Sequence, residues 1–167
     1  LRFLNEDPWA RLKIFKKHFK NTKLQMLLRG KNLVGYKEYS DEIISLFIKN
    51  SAKHGINIFR IFDALNDINN IKSSIEFVNN ENQNSQGTIC YTTSPVHNEK
   101  YWIKLAKNIE DIGAKSLAIK DMAGLLRPKV CYELVKKLKK NLNIPLHLHT
   151  HSTTGLADAT NFKAYEA

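Results

Sequence analysis

The sequence predicts an α/β fold in which about five strand-and-helix units build a parallel sheet. Three observations lead there. Short apolar runs recur with centres about 30 residues apart, the length of a strand plus its return helix. The segments between them carry apolar residues at helical rather than alternating period. Chemically competent polar side chains gather at the carboxyl end of each run, the edge at which parallel α/β sheets bind ligands.

The chain opens on Asp7-Pro8, an N-cap followed by proline at the first helical position, and continues as an amphipathic helical stretch through "KIFKKHFK" (13–20). "KLQMLLRG" (23–30) is the first strand, and its helix carries Ile43, Ile44, Phe47 and Ser51 at helical spacing. Gly55 falls just past that helix, where a left-handed cap residue is wanted. "NIFRIFD" (57–63) is the second strand, and "NNENQNSQG" (79–87) reads as a polar loop before the third, "GTICYTT" (87–93). Tyr101, Leu105 and Ile109 mark the next helix, closed by Gly113, and "SLAIKD" (116–121) is the fourth strand. Val130, Leu134, Val135 and Leu138 line another helix before the fifth strand, "PLHLHT" (145–150). Strands alternating with helices of this length imply parallel pairing through right-handed crossovers.

Two architectures satisfy this pattern. A doubly wound open sheet of five strands would be complete in 167 residues, whereas an eight-fold barrel needs roughly 250. Length favours the open sheet. The strand-end chemistry favours the barrel, because only a barrel brings every strand end around one mouth.

With 167 residues, 43% of them hydrophobic, the chain suits one domain with a real core. No secretory signal pattern and no apolar run of roughly 18 residues is present, which excludes those export and membrane-span signals from the sequence as given. Two cysteines, Cys90 and Cys131, form no CxxC, so neither a zinc module nor a disulfide framework is indicated, and a reducing, cytoplasmic setting is expected. The net charge of +10 and pI near 9.6 would suit a polyanion partner if the charge were clustered. The lysines instead interleave with apolar residues at helical spacing, as in "ELVKKLKKNL", which indicates solvated helix faces and no nucleic-acid partner.

At the strand ends, period-two geometry puts His147, His149 and His151 on one face, so that at least two imidazoles can reach one ion. The same histidines could equally hydrogen-bond within a polar barrel interior. Lys120 closes the apolar run "SLAI", where burial lowers an amine's pKa. A neutral amine there acts as a base, forms a Schiff base, or takes up carbon dioxide as an anionic carbamate; the alternative is a salt bridge to Asp121 or Asp63. Arg29 ends the first strand with a fork suited to a carboxylate, or to a structural ion pair. Tyr36 follows as a hydrogen-bond donor or a packing residue. Asp63 and Asn66 in "FDALN" either orient site groups or cap the next helix, and Tyr91, Thr92 and Thr93 end the third strand.

Six stretches in order, "EDPWARL", "LQMLLRGKNLVGY", "FRIFDALND", "YTTSPVH", "IKDMAGLLRP" and "HLHTHSTTGLA", resemble the biotin-dependent carboxyltransferase domain of pyruvate carboxylase, transcarboxylase and the oxaloacetate decarboxylase alpha subunit. "YTTSPVH" and "HSTTGL" look closer to the decarboxylase, with Ser152 where pyruvate carboxylase usually has aspartate. The resemblance implies a (β/α)8 barrel of which strands three to seven are present, a partial TIM barrel, and it overturns the length argument. It implies that Lys120 is the carboxylated lysine, that Lys120, His149 and His151 bind a divalent metal (zinc, manganese or cobalt) with His147 outside the ligand set, and that Arg29 and Tyr36 bind the oxo acid. The implied reaction moves a carboxyl group between oxaloacetate or pyruvate and biotin, with Lys120 and Arg29 in the catalytic machinery.

The same resemblance implies partners: a biotinyl carrier on a separate domain or chain, membrane decarboxylase subunits if the decarboxylase likeness holds, and a homo-oligomer in the full-length enzyme. It also implies a carboxyltransferase domain over residues 1–167 that is incomplete at both ends. The family's metal-binding aspartate and a glutamine contact belong upstream, its catalytic threonine and biotin-carrying domain downstream, so the isolated chain is expected to be inactive. The competing expectation is a non-catalytic, doubly wound α/β binding module acting through its basic surface. The absence of GxGxxG and GxxxxGK[ST] weighs against a nucleotide-binding version of it.

Overall fold

The computed structural model describes residues 3–167, so that Leu1 and Arg2 of the predicted domain lie outside the described residues. Five strands alternate with helices: α1 (Pro8–His18), β1 (Leu24–Leu28), α2 (Asp41–Lys53), β2 (Ile56–Ile61), α3 (Ile68–Asn80), β3 (Asn84–Cys90), α4 (Glu99–Asp111), β4 (Ser116–Asp121), α5 (Pro128–Asn141), β5 (Leu146–Thr150) and α6 (Ala157–Glu166). A single 3-10 turn, Gly30–Asn32, follows β1.

The sheet order is β1-β2-β3-β4-β5, and all four neighbouring pairs are parallel. A doubly wound sheet reverses its strand order at a switch point and carries helices on both faces. Sequential order with crossovers of one hand keeps the helices on one face and curls the sheet around the other. The five strands are therefore an arc of a barrel, and the open sheet that length suggested is excluded.

The convex face is the core. Phe59, Ile61, Ile89, Leu117 and Ile119 from the central strands pack against Ile44 and Ile48 of α2, Ile71 and Ile75 of α3, Ile109 of α4 and Leu138 of α5. Gly87 sets how closely α4 approaches β3, since a Cβ there would stand 2.2 Å from Ile109 Cγ2. The concave face is polar: Arg60, Gln86, Thr88, Ser116 and Lys120 are all buried there.

That polarity explains the one strand whose start the sequence hid. Residues 84–86 belong to β3 and not to a loop, because Asn84 and Gln86 are satisfied across the sheet and Ser85 by helix α3. Ser85 Oγ donates to Asn79 Oδ1 at 2.8 Å, and Ser116 Oγ donates to Asn84 Oδ1 at 3.0 Å. A strand facing a polar interior has no hydrophobic alternation to read.

Two helix faces are buried largely as expected, through Ile44 and Ser51 of α2 and Leu134, Val135 and Leu138 of α5. Ile43 is 48% and Val130 45% exposed, while Ile48 and Cys131 join the buried faces. Asp7 caps α1 as expected, accepting from the Trp9 N–H at 3.0 Å. The helix is nevertheless not amphipathic in effect: it buries none of its residues, and docks through Trp9 against Phe47 and His54.

A candidate active site at the carboxyl ends of the strands

Lys120 is the centre of the site. It sits on β4 with Cys90 of β3 on one side and His149 of β5 on the other in the parallel register. Lys120 is only 3% exposed, its amine has neither an ion pair nor a hydrogen bond among the described residues, and its Nζ rests 4.3 Å from the centroid of the Phe62 ring. Burial pushes the ammonium below the usual lysine range, and the nearby charges of Arg29 and Arg60 push it further in the same direction.

The two acids that might have paired with it are engaged elsewhere. Asp121, 2% exposed, accepts the backbone N–H groups of Leu125 (3.0 Å) and Leu126 (2.9 Å), which folds the β4–α5 loop. Asp63 accepts from the N–H groups of Leu65 and Asp67 and from Asn70 Nδ2, and so shapes the β2–α3 loop. Neither Asp63 nor Asn66 caps α3, a role that falls to Asp67. Asn66, at φ 62°, brackets Cys90 by accepting from its N–H at 2.8 Å and donating to its carbonyl at 3.0 Å.

His149 and His151 stand with ring centroids 5.0 Å apart. Burial first, then Arg60, His151 and Lys120, lower His149 to a pKa of about 4, so its ring is neutral at physiological pH. His147, exposed on the same face, is shifted down by burial and Arg60. On the opposite flank, the Arg29 guanidinium lies 4.8 Å from the Tyr36 ring centroid. Both line a cleft of about 180 Å3 with Asn32, Gly35, Phe62, Asp63 and Ala64. Gly30 makes this loop possible: it has φ 47°, and a Cβ would meet the Asn70 carbonyl oxygen at 2.4 Å.

The structure thus brings Lys120 and His149 together, with His151 beside His149 and Arg29 and Tyr36 across Phe62. It takes Tyr91 away from them. That ring packs on Trp102 of α4, 5.3 Å between centroids, and lines a separate cleft with Thr93 and Arg127. Sequence reasoning missed Arg60, Gln86 and Phe62. Arg60 had a legible signal, a cation inside the apolar run "IFRIF"; Phe62 had none, because an aromatic there reads as core.

The donor chemistry fits a divalent cation in part. Imidazole nitrogens are zinc-type ligands, and a carbamate on Lys120 would add an oxygen. Among the described residues no group of three or more His, Cys, Asp or Glu side chains could hold a metal, so no acid completes the set.

Known proteins share this arrangement of strands and helices. The HMGL-like family profile matches residues 18–167. The chain belongs to the HMGL-like family. Within it, the chain is 52% identical over 167 residues to a pyruvate carboxylase subunit of Methanocaldococcus jannaschii, covering 100% of this chain and 30% of that protein. It is 47% identical over 169 residues to the methylmalonyl-CoA carboxyltransferase 5S subunit of Propionibacterium freudenreichii, covering 100% of this chain and 34% of that one. The carboxyl transferase domain of Rhizobium etli pyruvate carboxylase, solved with pyruvate and biocytin, superimposes with a TM-score of 0.97 at 44% identity over 99% of this chain and 29% of that one. This HMGL-like chain therefore spans about a third of these relatives. No helix among its described residues is long and apolar enough to cross a membrane.

Proposed function

We propose that the full-length protein is a biotin-dependent carboxyltransferase that moves a carboxyl group between carboxybiotin and pyruvate, giving oxaloacetate, or runs the reverse. The observation that carries this reading is Lys120, a buried amine with no anionic partner among the described residues, set beside two arginines and two imidazoles. Burial and positive neighbours favour the neutral amine, which is the form that adds carbon dioxide to give a carbamate and a proton. The carbamate anion is then favoured by the same arginines that disfavour the ammonium.

In this reading Arg29 holds the oxo-acid carboxylate through its fork, and Tyr36 turns its hydroxyl toward the substrate from the exposed side of the same cleft. Phe62 separates that cleft from Lys120 and keeps its amine dry. His149, His151 and the Lys120 carbamate would hold a divalent cation of the zinc, manganese or cobalt class, which supplies Lewis acidity at the substrate's keto oxygen. The biotinyl group arrives on a carrier domain, and membrane decarboxylase partners belong only to the narrower oxaloacetate decarboxylase reading. That narrower reading is favoured by "YTTSPVH" and "HSTTGL" and by Ser152 alone.

The test is exchange of labelled pyruvate into oxaloacetate by the full-length protein in the presence of biotin. Parent protein should support exchange, Lys120→Met should abolish it, and Arg29→Ala should raise KM for pyruvate well above that of the parent. Full exchange by Lys120→Met would sink the carbamate role.

A further inference from the structure

Arg60 is a buried cation without a carboxylate partner among the described residues. It is 5% exposed on the concave face of β2, and its fork is directed at three neutral acceptors: Nε donates to Gln86 Oε1 at 2.6 Å, Nη1 to His149 Nδ1 at 2.7 Å and Nη2 to Gln25 Oε1 at 3.4 Å. A guanidinium only donates, so His149 Nδ1 supplies the lone pair and the neutral ring carries its proton on Nε2.

A cation needs a bare ring nitrogen. At Nδ1 it would take the lone pair that Arg60 holds. At Nε2 it would force the ring proton onto Nδ1, where one N–H would face another. The Arg60 contact and cation ligation by His149 therefore exclude each other on either nitrogen.

We infer that Arg60 competes with the divalent cation for His149 and yields the ring by pivoting about its Nε–Gln86 bond to close on Gln25. Gln86 is a fixed pivot, 4% exposed and tied through its own Nε2 to Ser116 Oγ at 3.2 Å. Gln25 is exposed on the edge strand β1, and its present contact is at the long limit of a hydrogen bond, with room to tighten. The inference rests on the ligand role proposed for His149.

The experiment is a titration of the chelator-stripped, full-length protein with zinc alone, read by competition with a chromophoric chelator. Arg60→Gln removes the competitor, and affinity should rise about tenfold, the weight of one charge-assisted hydrogen bond. Gln25→Leu removes the acceptor that receives Arg60, and affinity should fall several-fold at an unchanged melting temperature. Weaker zinc binding by Arg60→Gln at an unchanged melting temperature overturns the competition, and unchanged affinity in Gln25→Leu overturns the pivot. If Arg60→Gln unfolds, Gln25→Leu decides alone. His149→Ala separates the two levels: parent affinity in that variant removes the ligand reading itself, whereas lost affinity there, beside an Arg60→Gln that fails to tighten, removes only the competition.

Discussion

Replacing Lys120 by methionine should stabilise the protein while destroying its activity. The lysine is 3% exposed and its amine has no hydrogen bond or ion pair among the described residues, so folding removes much of its hydration and returns the contact with Phe62. Methionine keeps the unbranched stem, and its sulfur contacts an aromatic ring with an energy of about 0.3–1.5 kcal/mol, similar to what a lysine over a ring gains. Those two terms cancel to first order. What remains is the partial desolvation of the amine, about 1 kcal/mol at the low end for burying a polar group, which the substitution removes. For a domain of this size that raises the melting temperature by roughly 2 to 4 °C. The assay is thermal unfolding of full-length parent and variant followed by circular dichroism, with chelator present and bicarbonate removed so that neither cation nor carbamate stabilises the parent. A Lys120→Met protein that melts below the parent would refute the reasoning: Lys120 would then be a structural residue, and its burial would say nothing about function.

Three further outcomes follow from local geometry. Gly87→Ala should cost about 1–3 kcal/mol in denaturant unfolding because the new Cβ meets Ile109 Cγ2 at 2.2 Å, and adding Ile109→Ala should cost less than the sum of the two single changes. Asn66→Ala should lose about 2 kcal/mol, since it deletes both hydrogen bonds to Cys90 and leaves a non-glycine residue at φ 62°; Asn66→Gly should recover the backbone share of that loss. Burial raises both thiols, Cys90 and Cys131, to about 11 from 9.0, so neither should react with iodoacetamide at pH 8 until the protein unfolds. A folded pKa above the unfolded one gives stability that is full below pH 9 and is lost as pH rises to about 11, amounting to about 3 kcal/mol per thiol. An unfolding free energy that is flat across that window would contradict it.

Much of the architecture was legible because the strands that face helices on one side and a crowded interior on the other are short apolar runs. "SLAIKD" matches β4 residue for residue. Barrel closure was not legible from periodicity, since five sequential βα units read the same whether the sheet is doubly wound or curled. The start of β3 escaped because Asn84, Ser85 and Gln86 look like a loop until Arg60, Asn79 and Ser116 are found beside them. At the site, Lys120, His149 and His151 were visible as polar residues in apolar context. Arg60 is linked to His149 across 89 positions of sequence, and such a contact exists only once β2 and β5 are wrapped around the same interior.

The concave face therefore carries two arginines, Arg29 and Arg60, beside the buried amine of Lys120, while Asp63 and Asp121 at its rim are bound to backbone N–H groups and turned to shaping loops. Uncompensated positive charge at low dielectric has a definite consequence: every reaction that places an anion there is favoured over the same reaction in water. An oxo-acid carboxylate beside Arg29 and a carbamate on Lys120 are both such anions. The two arginines differ in what they can do next. Arg29 is half-exposed beside an open cleft and can meet a substrate that comes and goes, whereas Arg60 is sealed against Gln86 and His149 and can only exchange one internal partner for another. In the proposed reading, charge that recruits the substrate and charge that responds to what has bound are thus carried by different residues on adjacent strands.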